Sequence, residues 1–221
     1  MRTYKVIIAA SSLILLASLK CPAAEIKDSA VRYYIDKIDS LLNSSQIFDS
    51  NLKYTCEVKS LYHKINQRGE IDKSDTAVYL IMISHGIDSV VNIIDSSAFD
   101  ENRVPKRLSF ARPWNLDCRL YFFPNDTGVG DLAIGFEPVN ADSVMLPTGM
   151  ILLDRISFKI RRIYLYYPRF EDFERLSMVY QFTPGDDNLL LKSLTLQGSF
   201  YGFFQRRYFR QIMTFGNYQF H

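Results

Sequence analysis

The chain has 221 residues, with 26 basic against 24 acidic side chains, three cysteines and an aromatic share of 14%. That length suits one domain with a sizeable core, and a formal net charge of +2 leaves no electrostatic footprint for nucleic acid, although Arg161-Arg162 and Arg206-Arg207 could make local patches. Arg2, Lys5 and Lys20 all precede residue 25, so residues 25–221 carry 23 basic and 24 acidic side chains and are near neutral.

Residues 6–19, VIIAASSLILLASL, follow the basic Arg2 and Lys5 and end at Lys20. An apolar run of this length falls short of the roughly 18 residues that a membrane helix needs, and it reads as a secretory signal peptide over residues 1–24. Cleavage after Ala23 or Ala24 meets the small-residue preference, leaving a single domain over 25–221 in a periplasmic or secreted compartment. Cys21 closes the apolar run and could in principle be acylated, but Leu19-Lys20 before it argues against a lipid anchor.

Ser29 to Leu42 is the one segment with a helical period. Val31, Tyr34, Ile35, Ile38, Leu41 and Leu42 recur on one face, opposite Arg32, Asp36, Lys37 and Asp39. Asp28 or Ser29 can cap its first turn, and Asn43-Ser44-Ser45 ends it. Burying such side chains is worth about 1.5–3 kcal/mol each before entropy, so the helix needs a large apolar partner.

From Leu52 the period becomes two. Leu52, Tyr54, Cys56 and Val58 alternate with Lys53, Thr55, Glu57 and Lys59, predicting a half-buried strand that runs to Lys64 and turns at Asn66-Gln67-Arg68-Gly69. Thr76–Ser84 and Ser89–Ile94 supply two more strands. Residues 95–115, broken by Pro105 and Pro113, read either as a lid or as a crossover packed by Phe99, Phe110 and Trp114. Leu116, Cys118, Leu120 and Phe122 then share one face of a fourth strand. Further strands are expected at Asp131–Val139, Met150–Leu153, Phe158–Tyr167, Phe173–Phe182, Leu189–Gln197, Phe200–Phe204 and Tyr208–Phe220. The expected fold is therefore α+β: a curved antiparallel sheet of about 9–11 strands wrapping one amino-terminal amphipathic helix.

Cys56 and Cys118 remain after processing. An oxidising compartment would let them pair, and their apolar-face positions equally suit two buried thiols. Asp126-Thr127-Gly128 spells an aspartic-protease triplet, but it lacks a second copy and makes an ordinary turn. His63, His85 and His221 have no metal-ligand spacing around them. Asn43-Ser44-Ser45 and Asn125-Asp126-Thr127 match the glycosylation sequon. With no catalytic constellation, metal motif or cofactor motif, the reading is a binding protein and not an enzyme.

The positive signal is aromatic. Residues 164–220 hold Tyr164, Tyr166, Tyr167, Phe170, Phe173, Tyr180, Phe182, Phe200, Tyr201, Phe203, Phe204, Tyr208, Phe209, Phe215, Tyr218 and Phe220. Part of this set covers sheet faces, and the surplus points to a concave cavity for an acyl chain or another apolar ligand. Candidate ligand contacts are Tyr34, Leu41 and Leu42 on the helix, with Leu120, Phe122, Tyr164, Tyr166 and Phe182 on the strands.

One amphipathic helix, a strand at Leu52–Lys64, a glycine-containing turn and a long antiparallel meander resemble the periplasmic lipoprotein-carrier family, the LolA/LolB-like proteins. Pro147-Thr148-Gly149-Met150-Ile151-Leu152-Leu153-Asp154, running into Phe158-Lys159-Ile160-Arg161-Arg162-Ile163, looks like the hairpin of that group in which a short strand ends in Asp. The resemblance is one of layout. It implies an unclosed half-barrel with helical cover on its concave face, a lipid or lipidated protein as partner, and peripheral contact with a membrane or a membrane-bound partner. A small outer-membrane barrel, suggested by the aromatic carboxyl-terminal strand, and a secreted hydrolase are the alternatives.

Overall fold

The computed structural model describes residues 28–44, 53–84, 87–96, 118–123, 130–139, 146–170, 173–184, 189–202 and 205–221. The expected signal peptide, Cys21, residues 97–117 and the Asp126-Thr127-Gly128 turn lie outside these residues. One helix, α1 (Asp28–Ser44), precedes ten strands. They are β1 (Tyr54–Ile65), β2 (Ile71–Ser84), β3 (Ile87–Ser96), β4 (Cys118–Phe122), β5 (Asp131–Pro138), β6 (Thr148–Asp154), β7 (Ile160–Tyr167), β8 (Phe173–Pro184), β9 (Leu189–Gly202) and β10 (Gln205–Phe220).

All ten strands form one antiparallel sheet in the order β3-β2-β1-β10-β9-β8-β7-β6-β5-β4. The first and last strands pair as third and fourth in this order, Tyr54 opposite Phe220 and Ile65 opposite Tyr208. Among the described strands, β3 pairs only with β2 and β4 only with β5, so the sheet is an open half-barrel and not a closed barrel.

The register defines a single inner face. It runs from Ile83, Ile81 and Tyr79 through Tyr54, Cys56 and Val58 to Met213 and Phe209, then across Leu194, Tyr180, Ile163, Ile151, Ile134 and Phe122. Val31, Ile35 and Ile38 of α1 join these side chains in one buried cluster. At no more than 1% exposure each, the three are worth roughly 1.5–3 kcal/mol apiece before entropy. The expected one-sided helix is present, two residues longer at its far end than its period predicts.

Three differences from the sequence reading have local physical causes. Gly198 was expected to lie beyond a strand end at Gln197, with a separate strand at Phe200–Phe204; instead β9 runs unbroken to Gly202. A Cβ at Gly198 would sit 2.5 Å from the Arg175 carbonyl oxygen and 3.1 Å from the Phe209 ring, so the glycine permits a close approach and does not end the strand. β2 begins at Ile71 and not at Thr76, because Asn66 closes a tight hairpin. Its Oδ1 accepts from the amides of Arg68 (2.9 Å) and Glu70 (3.0 Å), Gly69 takes a φ of 82°, and the polar residues that follow are drawn into register with β1. Phe158, expected in a strand, lies in the β6–β7 turn with a φ of 57°.

Candidate functional site: the inner face of the half-barrel

At one end of the inner face the β6–β7 turn holds α1. Asp154 builds the turn: its Oδ1 accepts from the amides of Ile156 (3.0 Å) and Ser157 (2.8 Å), and its Oδ2 accepts from Arg161 (2.5 Å). These bonds, the Ser157 amide foremost and then the Arg161 guanidinium, hold the carboxyl well below the usual carboxylate range. The turn presents Phe158 to the helix. Its ring centroid lies 5.7 Å from that of Tyr34, and the Lys37 ammonium stands 4.8 Å above it. Tyr34 also meets Phe122 edge-on at 5.5 Å, where α1 packs beside β4.

The middle of the face is apolar, with one polar seam. Gln211 donates to Ser60 Oγ at 3.0 Å, and both are buried. Tyr79, alongside, has its phenol pushed up to about 12 by burial, against the lowering effect of its bond to Ser60. Its hydroxyl points at Met213 Sδ, 3.8 Å away.

At the opposite end the lining is aromatic and reaches solvent. Tyr62 stacks on Phe209 with an interplanar angle of 9° and a centroid distance of 6.1 Å. Phe173 (5.4 Å) and Phe200 (6.1 Å) also contact Phe209, and Phe170 lies 4.7 Å from Tyr167. Phe209 is buried, while Tyr62, Phe173 and Phe200 are half-buried around it and Phe170 is half-buried beside Tyr167. Lys73, Lys64 and Arg207 flank this cluster on the same face by register.

A third aromatic group, Tyr54, Tyr218 and Phe220, closes the helix-side end beneath the chain terminus. A β-bulge makes this possible. Asn217 adopts a φ of 53°, its Nδ2 donates to Glu57 at 3.2 Å, and the added residue carries Tyr218 back inside, where its hydroxyl donates to the Leu191 carbonyl at 2.7 Å. Burial raises the Tyr218 phenol well above its ordinary range. On the outer side of the bulge Glu57, Leu80, Asn217, Tyr218 and Gln219 line a hollow of about 440 Å³.

The sequence-predicted contacts divide. Tyr34, Leu120, Phe122 and Phe182 lie on the inner side of the sheet and pack into or against its core, and Leu41 is half-buried on α1. The side chain of Leu42 lies outside the described set. Tyr164 and Tyr166 are placed differently from the expectation: they alternate with Ile163, Leu165 and Tyr167 and occupy the outer face, paired with Val179 and Ser177. The cause is a bulge between β6 and β7, where Leu152 pairs with Arg162 and Leu153 with Ile160, so the parity changes at Arg161. Arg161, displaced from the ladder, pairs instead with Asp131 (3.2 Å) and Asp154.

The candidate Cys56–Cys118 bridge is absent from the structure: Cys56 is buried in β1 and Cys118 half-buried in β4, with six strands between them in the sheet order. Of the cluster around Phe209, the sequence displays only the aromatic richness of residues 164–220. Its members come from β1, β8, β9 and β10, and only pairing between distant segments assembles them.

No group of three or more His, Cys, Asp or Glu with metal-binding geometry occurs among the described residues. No family model matches the chain, and no curated protein matches it. Among solved structures, a domain from Vibrio parahaemolyticus described as an outer membrane lipoprotein-sorting protein domain aligns with a TM-score of 0.42 at 8% identity, covering 84% of this chain and 91% of that one.

Proposed function

We propose that this chain is an exported carrier that binds a hydrophobic ligand, a lipid or a lipidated polypeptide, on the concave face of its half-barrel. The observation that carries this reading is the aromatic cluster of Tyr62, Phe173 and Phe200 around Phe209. It lies on the core-facing side of the sheet, yet its rings are only half-buried. Apolar aromatic surface continuous with the core and open to solvent at one end is the geometry an acyl chain fills. The open sheet supports the same reading, because among the described residues its edge strands β3 and β4 do not pair with each other. The leader-like residues 1–24 support export, and membrane contact in this reading is peripheral.

Native mass spectrometry and solvent extraction of protein purified from its own host provide the test. Protein of the expected mass should carry a lipid-sized adduct, and stripped protein should take up a neutral solvatochromic dye such as Nile red. Recovery without any adduct, together with no dye uptake, rejects carriage. Release from the envelope fraction only by detergent, with heat-modifiable migration on gels, would reject the carrier reading in favour of an integral barrel.

A further inference from the structure

At the aromatic end of the inner face the cationic side chains are not equivalent. Lys64 is held by Asp72 at 2.5 Å and Lys73 by Asp75 at 3.0 Å, so each of these charges is matched by a carboxylate. On the outer face Arg206 is matched as well: Nε and Nη2 donate to the two oxygens of Glu174 at 2.6 and 3.1 Å, and the guanidinium lies over Tyr201. Arg207 differs. It stands opposite Phe200 across β10–β9 and two residues before Phe209, which places it on the inner face at the rim of the cluster. Its side chain is exposed, and it makes no ion pair or hydrogen bond with the described residues. Among the described residues the inner face at this end thus carries two neutralised lysines and, in Arg207, a guanidinium without an ion-pair or hydrogen-bond partner.

We propose that Arg207 receives the oxyanion head group of an amphiphile, a carboxylate or a phosphate, whose chain lies against Phe200, Phe209, Phe173 and Tyr62. This inference rests on the carrier reading and specifies the class of ligand. A guanidinium presents paired N–H donors that match two oxygens of a carboxylate or phosphate, a match that a neutral glyceride cannot make. Phe200, directly opposite on the neighbouring strand, puts apolar surface next to that charge, so a ligand with both parts satisfies both residues at once. The polar rim also lets the head group keep part of its hydration, which avoids the cost of burying an anion.

The assay is displacement of Nile red, a neutral reporter, from the full mature chain by dodecanoate, dodecyl phosphate and monolaurin, using wild type, Arg207→Gln and Arg207→Lys. Melting curves of both variants should superimpose on wild type, because the side chain is exposed. Wild type should bind at least one of the two anions about tenfold more tightly than monolaurin at low salt, with the preference shrinking as salt rises. Arg207→Gln should lose that preference while keeping its monolaurin affinity, and Arg207→Lys should retain more of it for the phosphate than for the carboxylate. Whichever anion is preferred identifies the head group. Equal affinity of wild type for all three amphiphiles, or an anion preference that survives in Arg207→Gln, overturns the assignment to Arg207 and leaves carriage standing. Failure of all three to displace the dye from protein that binds it also overturns the assignment, whereas failure of the protein to bind dye or amphiphile overturns carriage itself.

Discussion

Phe158 and Tyr34 join the β6–β7 turn to the helix: their rings lie 5.7 Å apart at 33°, and Phe158 makes the contact from a φ of 57°. A bulky residue in the left-handed region costs roughly 1–2 kcal/mol relative to a right-handed one, and here the ring contacts with Tyr34 and Lys37 offset that cost. Phe158→Ala keeps the strained backbone and removes the ring, whereas Phe158→Gly removes both. Both variants should be less stable than wild type by about 1–3 kcal/mol in urea unfolding, with Ala the less stable by up to ~1 kcal/mol. The reverse order would show that the turn is not strained.

Docking of α1 rests on Ile38, fully buried, more than on Leu41, which is half-buried. Ile38→Asp places a carboxylate among apolar side chains and should cost several kcal/mol, enough to unfold a marginal domain, while Leu41→Asp should cost less. Chemical denaturation read by far-UV circular dichroism checks this. Equal midpoints for the two variants would indicate that the helix does not lie with Ile38 inward.

Three glycines should respond differently to one added methyl group. A Cβ at Gly149 would lie 2.1 Å from the Tyr164 carbonyl oxygen and 2.4 Å from the Phe136 ring, and one at Gly198 would lie 2.5 Å from the Arg175 carbonyl oxygen, whereas Gly216 has nothing within 4 Å. Gly149→Ala and Gly198→Ala should each cost on the order of 1–3 kcal/mol, and Gly216→Ala should fall within about 0.5 kcal/mol of wild type. Thermal melts of the three variants provide the comparison.

The Asp154 turn makes stability depend on acid. Its carboxyl is held below the ordinary value of 3.8, so the folded state keeps it ionised more readily than the unfolded chain does. That contribution is fully present above about pH 4 and is lost as the pH falls through the depressed folded value. Melting temperature plotted from pH 6 down to pH 2 should fall more steeply for wild type than for Asp154→Asn. Parallel curves would show that the turn carboxylate is not linked to folding.

No disulfide joins Cys56 to Cys118, so residues 25–221 should give two reactive thiols in denaturant and an unchanged melting temperature without reductant. Under native conditions the buried Cys56 should react far more slowly with a thiol reagent than the half-buried Cys118. A single disulfide-linked peptide in non-reducing mass mapping would contradict this arrangement.

The helix, the change of period near Leu52 and most strand positions are legible in consecutive residues, because hydrophobic periodicity is a local property of the chain. It also determined the inward parity of Tyr54, Cys56 and Val58 and of Cys118, Leu120 and Phe122, which lie on regular strands. The face that Tyr164 and Tyr166 occupy depends instead on how β6 and β7 pair. The bulge at Arg161 inserts one residue, and a period of two carries no information on where such an insertion falls. The same reason brings Tyr218 inside through Asn217. Strand order was equally beyond sequence: pairing β1 with β10 joins segments more than 140 residues apart, and it is this closure that sets Tyr62 on Phe209, leaves Arg207 at the rim, and puts six strands between Cys56 and Cys118. Such contacts depend on the summed complementarity of whole strands, which no single stretch of the chain displays.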